Sequence, residues 1–304
     1  MEVIRVFACK ARKTIIAVVC LFFMILAIGS IASAEDFAFM IIADPHIDGT
    51  AAHATRLQSC INWINANKTT KKIELVFVVG DIGWGGHLPE AKTLLDGLTV
   101  PYIPLMGDNE FQAGSEVEFN NVFSPQYVYL AGILTNWQKA PAPIWNPQIS
   151  AESYLQNFSF DHLACHFICA DFAARYTGTE TAELHDFTGG TWPWFKNDVI
   201  NCQKPKSENI VSLSHHGMFI NPYLFNSSQM STITAFTSGY KSYLHANYSG
   251  HVHLNWTQGV PLLFSHYTGI TTDATFEDDN TMRRVAVTIG SRAVSYAQEL
   301  VVIP

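Results

Sequence analysis

Aspartate and histidine recur in five short blocks along the chain, four of them directly after an apolar run and the fifth after Tyr243–Tyr248. Carboxylates are hard ligands and imidazoles are borderline ones, a combination that suits Zn, Mn or Fe. The blocks therefore predict a metal centre, provided that the fold brings them together. They are Asp44-Pro45-His46, Gly80-Asp81, Gly107-Asp108-Asn109-Glu110, His215-His216 and Gly250-His251-Val252-His253.

The spacing within two of the blocks has a geometric meaning. In extended chain, residues two positions apart point to the same side. Asp44 and His46 have this spacing, and so do His251 and His253, so each pair can present two ligands to one place. The two histidines of the fourth block are adjacent and should diverge, so at most one of them is expected to bind a metal.

The apolar runs before the blocks are short and rich in Val, Ile and Phe, which is typical of strands buried on both faces. Helices are expected between the first strands, at about 51–68 and 87–97, and strand–helix alternation predicts an α/β layered fold. The later strands come without evident helices between them, so part of the sheet system should be antiparallel or mixed. In such sheets, sites gather at the carboxyl ends of strands. The predicted strands cover residues 37–43, 73–79, 100–106, 163–170, 209–214, 261–265, 283–289 and 299–303.

Taken in order, the five blocks resemble the motifs of the calcineurin-like metallophosphoesterase superfamily, which read D-x-H, G-D, G-[ND]-x-[DE], H and G-H-x-H. The likeness spans residues 37–253, and the segment 191–200 is similar to the tryptophan-bearing helix that precedes the family's fourth block. One block alone is weak evidence, but five in order are strong together. The resemblance implies two facing mixed β-sheets flanked by helices, a four-layer αββα sandwich.

The resemblance also implies a binuclear centre of two divalent metal ions (Mn, Zn or Fe) that hydrolyses phosphate monoesters or diesters. A hydroxide bridging the two metals would be the nucleophile, and the substrate would be a small phosphorylated molecule. The ligands are carried over residue by residue. One metal would be held by Asp44, His46 and His253, the other by Asp108, His215 and His251, and Asp81 would bridge both.

The third block departs from the family pattern, which usually reads Gly-Asn-His-Asp/Glu. Aligned without a gap, Asp108 stands where the family has its metal-binding Asn, and Asn109 stands where it has its catalytic His. Asp108 adds a negative charge, which should hold the metals more tightly and weaken the pull on a phosphate dianion. Asn109 can donate a hydrogen bond but no proton, so esters with poor leaving groups should suffer most.

Other residues could restore the missing proton donor. The candidates are His216, beside the expected ligand, and His87, in the glycine-rich loop after Asp81. A shifted alignment is a further alternative, with Asn109 as the metal ligand and Glu110 in the acid position. Sequences related to the family carry a Gly-Asp-Asn-Glu version of this block, so we interpret the departure as a subfamily trait rather than decay.

The N-terminus has the pattern of a secretory signal peptide. Four basic residues precede an apolar run from Ile15 to Gly29, and a small-residue A-x-A sequence ends at Ala34. Cleavage there leaves residues 35–304, predicted to be a single exported domain, periplasmic or secreted, with no membrane segment. The alternative is an uncleaved membrane anchor, because the apolar run approaches the ~17 residues that a spanning helix needs.

Composition narrows the class of partner. Without residues 1–34 the chain has 14 basic and 25 acidic residues, a formal charge of −11. This argues against a nucleic-acid-binding surface, which needs basic patches to release counterions. A small phosphate substrate stays compatible, because bound cations would dominate the local field.

One segment breaks the regular strand pattern. Residues 116–157 are predicted to form an inserted loop or small cap, because Pro141, Pro143 and Pro147 should break any long element.

A second functional class also stays open. The chain could be a catalytically weak metal-binding protein that recognises a phosphorylated ligand or a surface partner. The absence of the catalytic histidine favours this alternative. The seven expected ligands favour the enzyme, because an abandoned site has no physical reason to keep them.

Overall fold

The computed structural model describes six stretches of the chain, all within the compact unit Glu35–Pro304. The predicted signal peptide 1–34 and the predicted strand 261–265 lie outside the described residues. Within the described residues, no helix combines the length and the apolar character that crossing a bilayer requires. The described stretches are 36–112, 114–176, 180–218, 224–259, 267–277 and 280–303.

A five-stranded sheet carries the first three ligand blocks. Its strands are β1 (Phe37–Ile42), β2 (Ile73–Val79), β3 (Tyr102–Leu105), β13 (Thr281–Ile289) and β14 (Val294–Val302). The strand order is β14-β13-β1-β2-β3. The strands β1, β2 and β3 run parallel, whereas β13 pairs antiparallel with β1 and with β14.

A seven-stranded sheet carries the last two blocks. Its strands are β4 (Thr135–Lys139), β7 (Phe158–His162), β8 (Cys165–Cys169), β9 (Ile210–Leu213), β10 (Leu244–Ser249), β11 (Trp256–Gly259) and β12 (Thr268–Thr271). The strand order is β11-β12-β10-β9-β8-β7-β4. Its central strands β8, β9, β10 and β12 are parallel, and the strands outside them pair antiparallel.

The two sheets pack face to face through aromatic side chains. Every residue of β1 is buried, as its unbroken apolar sequence predicts. The ring of Phe39 in β1 lies edge-on to Phe167 in β8 and to Tyr248 in β10, with centroid distances of 5.5 and 5.6 Å. The ring of Phe77 in β2 stacks on Phe160 in β7. This confirms the predicted pair of facing mixed sheets.

Helices cover the sandwich and confirm both predicted helices between the first strands. The helices are α1 (Ala51–Asn67), α2 (Leu88–Leu95), α3 (Asp108–Gln112), α4 (Glu116–Ile133), α5 (Thr191–Asn201) and α6 (Ser227–Gly239). Leu57 and Ile61 of α1 belong to the same buried cluster as β1 and β2. Trp192 of α5 and Ile233 of α6 form a second cluster with Ile210 of the seven-stranded sheet.

The segment 116–157 differs from the expected loop or cap. It begins with the 18-residue helix α4, which contains Pro125, and continues into the edge strand β4. Gln126 and Tyr127 of α4 donate to the carbonyl oxygens of Tyr102 and Pro104 at 2.7 and 2.8 Å, so this helix is fixed to β3. The expectation of no long element was wrong because the three prolines considered follow α4 and β4 and interrupt neither. A hairpin comes next, made of β5 (Ile144–Asn146) and β6 (Ala151–Ser153).

The helix α6 was also not predicted, although it connects the parallel strands β9 and β10 as a crossover requires. Its polar sequence lacks a clear apolar period. The available signal was its start, where Asn226 and Gln229 form a capping box. The side chain of Asn226 accepts from the backbone N–H of Gln229 at 3.0 Å, and the side chain of Gln229 accepts in return at 3.3 Å.

Candidate metal centre

The seven predicted ligands lie at one edge of the sandwich. Each follows the carboxyl end of β1, β2, β3, β9 or β10. Because the strands of each set run parallel, their carboxyl ends meet at one edge of each sheet. The two facing sheets then bring the five loops together.

Asp44, His46 and His253 form one group, which we call the outer ligand group. One ligand atom of each lies within 4.8 Å of the others, and Nε2 of His253 lies 3.8 Å from Oδ1 of Asp44. The side chain of His253 is 28% exposed and that of His46 is 12% exposed. This group therefore borders the solvent.

Asp108, His215 and His251 form a second group, the inner ligand group, which meets the same distance criterion. Oδ1 of Asp108 lies 2.8 Å from Nε2 of His215 and 3.0 Å from Nδ1 of His251. The side chains of Asp108 and His215 are almost completely buried. Burial lowers the pKa of His215, but the carboxylates of Asp81 and Asp108 raise it well above its usual value.

Asp81 lies between the two groups. Its Oδ2 is 3.5 Å from Nε2 of His46 in the outer group, and its Oδ1 is 3.4 Å from Nε2 of His215 in the inner group. Asp81 also belongs to a third set of converging donor atoms, together with Asp44 and His215. It therefore has one carboxylate oxygen close to each group.

The donor set fits a pair of divalent cations. The carboxylates of Asp44, Asp81 and Asp108 are buried, and their ion-pair partners among the described residues are histidines. Burial raises the pKa of Asp44 well above its usual range, with a further contribution from the charge of Asp81. Nε2 of His46 is buried without a hydrogen-bond partner. Cations bound here would neutralise the carboxylates and take up this nitrogen lone pair.

Many of the predicted ligands share an uncommon backbone conformation with seven other non-glycine residues of the described chain. Asp44, His46, Asp81, His251 and His253 all have φ between 48° and 71°. The left-handed region is uncommon for residues other than glycine, and such conformations cluster at functional sites. Five of the seven predicted ligands share it, so these loops hold the backbone in a conformation that residues other than glycine rarely adopt.

Two glycines of the blocks allow ligand carboxylates to approach the backbone. A Cβ atom on Gly107 would collide with the carboxylate of Asp81, and one on Gly250 would collide with the carboxylate of Asp44. The glycines of the third and fifth blocks therefore make room for ligands that come from other blocks.

The third block places its three polar side chains in different directions. Asp108 joins the inner ligand group, as the ungapped alignment predicts. The backbone N–H and the side-chain amide of Asn109 donate to the two carboxylate oxygens of Asp81, at 3.0 and 2.5 Å.

Glu110, the acid of the shifted alignment, is engaged by the backbone of two loops. Glu110 is buried and accepts from the backbone N–H groups of Ile82, Gly83 and Gly107. Burial and the charge of Asp81 raise the pKa of Glu110 to about 8. Glu110 therefore ties the loops after β2 and β3 together.

The two candidate proton donors lie in different surroundings. His216 is fully buried beside the inner group, with its ring centroid 4.2 Å from that of His251 and its Nε2 3.7 Å from Oδ1 of Asp108. His87 lies at the start of α2, where Nδ1 is 3.1 Å from Oε2 of Glu90 and the ring packs against Gly49.

Residues from other segments surround the outer group, and the sequence marked neither Phe276 nor Glu277. The ring of Phe276 stacks on His46 with a centroid distance of 4.0 Å and an interplanar angle of 6°. The ring of Trp84 lies edge-on to His46 at 4.9 Å. Oε1 of Glu277 lies 2.9 Å from Nδ1 of His253. An acidic run after an aromatic residue is ordinarily typical of an exposed turn, so no local signal marked Glu277.

The family comparison agrees with this geometry. The model of the calcineurin-like phosphoesterase family matches residues 37–255. Among curated proteins, no sequence matches the chain significantly.

Several solved structures share the fold. A dimetal phosphatase from Danio rerio is 13% identical, with a TM-score of 0.52, over 89% of this chain and 100% of the other. A purple acid phosphatase from yellow lupin (Lupinus luteus) seeds is 12% identical, with a TM-score of 0.50, over 86% of this chain and 51% of the other. A sulfate thiohydrolase from Thermus thermophilus is 12% identical, with a TM-score of 0.50, over 90% of this chain and 58% of the other. This chain thus spans little more than half of the last two proteins.

Proposed function

This chain belongs to the calcineurin-like phosphoesterase family and is a hydrolase of phosphoric ester bonds, and from that premise we propose that it hydrolyses small phosphate esters at a centre of two divalent cations. The observation that carries the proposal is the pair of ligand groups joined by Asp81. The outer group (Asp44, His46 and His253) would hold one cation and the inner group (Asp108, His215 and His251) the other. Mn, Zn and Fe all suit these nitrogen and oxygen donors.

When bound, two cations would lower the pKa of a water molecule between them, which makes it the nucleophile, and would polarise the phosphoryl oxygens. The protein's part is to hold the ligands in place. Left-handed backbone in three loops and the two close-approach glycines support this role. Two hydrogen bonds to Asp81 hold Asn109 in place. In this position the side-chain amide of Asn109 can orient a substrate by hydrogen bonding.

The substitution of Asn109 for the family's histidine sets a limit on substrates. An amide cannot transfer a proton to the leaving group, and such general-acid help is typically worth about 10²–10⁴ in rate. We therefore propose that the preferred substrates have leaving groups that depart without protonation. Because Asp108 is placed in the inner group, we interpret the Gly-Asp-Asn-Glu block as a working variant.

Charge further favours diesters over monoesters. Asp44, Asp81 and Asp108 together bring three carboxylates to two divalent cations, so less positive charge remains for the substrate than with an asparagine at position 108. A diester monoanion loses less from this reduction than a monoester dianion does.

Neither candidate proton donor takes the place of the missing histidine in this proposal. His87 is hydrogen-bonded to Glu90, and its ring packs against Gly49. His216 is buried behind the inner group, where its contacts with Asp108 and His251 suit a role in supporting those ligands.

The acidic charge of the expected mature chain supports a small substrate and no nucleic-acid partner. The N-terminal pattern supports export to the periplasm or the exterior.

The test compares hydrolysis of an aryl phosphate monoester and an aryl phosphate diester by the Mn²⁺-loaded protein. Asp81→Asn removes the shared carboxylate with little change in shape, and the loss should exceed the roughly 10²–10³-fold cost of removing one transition-state hydrogen-bond donor. Asp186→Asn is the matched control, because Asp186 is exposed and lies near Lys196.

Full activity in Asp81→Asn would mean that Asp81 is not the shared ligand. A wild-type protein that binds two metals and turns over neither ester would support the alternative of a protein that binds a phosphorylated ligand.

A further inference from the structure

The segment Ala274–Glu277, which follows β12, lies directly over the outer ligand group. Ala274 pairs with Ala43 in an isolated parallel bridge, and the backbone N–H of Thr275 donates to the carbonyl oxygen of Ala43 at 2.8 Å. Ala43 immediately precedes the ligand Asp44. The segment is therefore anchored at the point where the first ligand block begins.

A second anchor comes from helix α1. The guanidinium group of Arg56 donates to the carbonyl oxygen of Phe276. Phe276 is thereby held with its ring stacked on His46, and its edge contacts extend to His253 at a centroid distance of 5.2 Å. Both imidazoles of the outer group thus share one packed aromatic neighbour.

Glu277 is the charged end of this segment. Its Oε1 lies 2.9 Å from Nδ1 of His253, while Nε2 of the same ring lies 3.8 Å from Oδ1 of Asp44. A carboxylate that accepts a hydrogen bond from Nδ1 fixes the tautomer that leaves Nε2 free to bind a metal. The contact therefore sets which nitrogen faces the other ligands and how the ring is oriented.

The inner group has a different arrangement. Nδ1 of His215 lies 2.9 Å from the backbone carbonyl oxygen of Val79, inside the sandwich. That acceptor is neutral and belongs to the main chain of β2. Glu277 instead is a side chain that is 44% exposed, so His253 depends on a single replaceable residue for the same function.

We infer that Glu277 is a positioning residue that sets the affinity of the outer ligand group for a divalent cation, without contacting the cation. This inference rests on the proposed binuclear centre. It predicts that the two metals are controlled separately, the outer one through Glu277 and the inner one through the buried backbone contact of His215.

The experiment is a calorimetric titration of the metal-free protein with Mn²⁺ alone. Glu277→Ala should weaken one of the two binding events by about 10–100-fold, the usual effect of removing such an outer partner, and leave the other unchanged. Glu277→Gln keeps an oxygen acceptor for Nδ1 and should lose less affinity than Glu277→Ala. The matched control is Glu74→Ala, because Glu74 is 45% exposed and contacts Nε2 of His162 at 2.7 Å.

Each outcome separates the two proposals. Two binding events in wild type that stay unchanged in Glu277→Ala would overturn the positioning role and leave the binuclear centre intact. Absence of Mn²⁺ binding in wild type would overturn the proposed function itself. Equal weakening of both binding events in Glu277→Ala, together with a lower unfolding temperature of the metal-free variant, would show a structural role and overturn the positioning role. Under a structural role, Glu277→Gln should match wild type in both measurements.

Discussion

Two clusters of buried aspartate and histidine lie at opposite ends of the seven-stranded sheet, and only one of them has the properties of a site. The His166 cluster consists of Asp161, His166 and Asp198. His166 pairs with Ile210 at the start of β9. The metal-edge cluster, which comprises the seven predicted ligands, includes His215, which follows the other end of β9.

The His166 cluster is complete without a ligand. Nδ1 of His166 lies 2.6 Å from Oδ1 of Asp161, and Nε2 lies 2.9 Å from Oδ2 of Asp198. The remaining oxygens of the two carboxylates accept from Ser159 and Asn136. An imidazolium between two carboxylates satisfies its own charge and hydrogen bonds, so it links β7, β8 and α5 as a structural element.

The metal-edge cluster is incomplete by the same criteria. It holds three buried carboxylates, and Nε2 of His46 is buried without a hydrogen-bond partner. Residue types alone therefore do not mark a site. What distinguishes the metal-edge cluster is the convergence of three buried carboxylates with an imidazole nitrogen, Nε2 of His46, that has no hydrogen-bond partner among the described residues.

The largest expected difference between the clusters is the response to metal removal. Chelation should abolish hydrolysis, and Mn²⁺ should restore it, because the metal-edge cluster would be left without its cations. Metal binding to the folded state alone should also raise stability, by about 2.7 kcal/mol when the free metal is at 100 times its Kd. Activity and thermal unfolding, measured with and without chelator, check both effects.

The control for chelation is His166→Gln. This variant should keep the same chelator sensitivity and, below its unfolding temperature, a turnover close to that of wild type. A variant with lost turnover and normal stability would contradict the structural role assigned to the His166 cluster.

The convergence of the seven residues at one edge was predictable because four of the five blocks carry a glycine or a two-residue spacing, and each block follows a strand. What could not be predicted were Phe276 and Glu277. Their contacts arise because the chain after β12 folds back onto Ala43, a tertiary event with no local signature. The same limit explains why the role of Glu110 was not evident, since its three backbone partners belong to two different loops.

The fold was predictable where strands are apolar and helices alternate with them. It was not predictable where the pattern weakens, as in α6, which has a polar sequence, and in β4, which is mostly exposed. The segment 116–157 contains prolines that predict a break, but it also contains the apolar residues Phe119, Phe123 and Leu130, which α4 buries. Burial of that face outweighed local breaking signals, because tertiary packing supplies most helical stability.

A smaller effect is expected from restoring a proton donor to the metal-edge cluster. Asn109→His should raise the hydrolysis of alkyl phosphate esters by up to about 10²-fold, the lower end of general-acid catalysis, because a new histidine will not be optimally placed. Aryl esters with good leaving groups should change little. Rates for the two ester classes, measured side by side, give the ratio that matters.

The matched control is Asn109→Gln, which alters the side-chain length without adding a group that titrates near neutral pH. If Asn109→His left the ratio of alkyl to aryl hydrolysis unchanged, a missing proton donor would not be what limits the substrates of this site.

The smallest expected effect is a pH-dependent loss of stability that originates in the His166 cluster. Burial lowers the pKa of His166, but hydrogen bonds and charges from Asp161 and Asp198 raise it overall to about 9. A raised pKa in the folded state stabilises below the unfolded value of about 6.5, and the stabilisation disappears as pH rises through about 9. The loss between pH 7 and pH 10 should be on the order of 1–3 kcal/mol. Asp161, His166 and Cys202 line a cavity of about 320 Å³. Burial raises the pKa of the Cys202 thiol to about 11, so this thiol stays protonated over most of the range from pH 7 to pH 10.

Urea unfolding of metal-free wild type and His166→Gln at several pH values isolates this contribution, since groups elsewhere titrate alike in both proteins. The difference in the free energy of unfolding should shrink steadily above pH 7 and level off near pH 10. A difference that stays constant over this range would mean that His166 is neutral in the folded protein. His166 would then carry no positive charge to offset the two carboxylates, and the contrast with the metal-edge cluster would rest on hydrogen bonds alone.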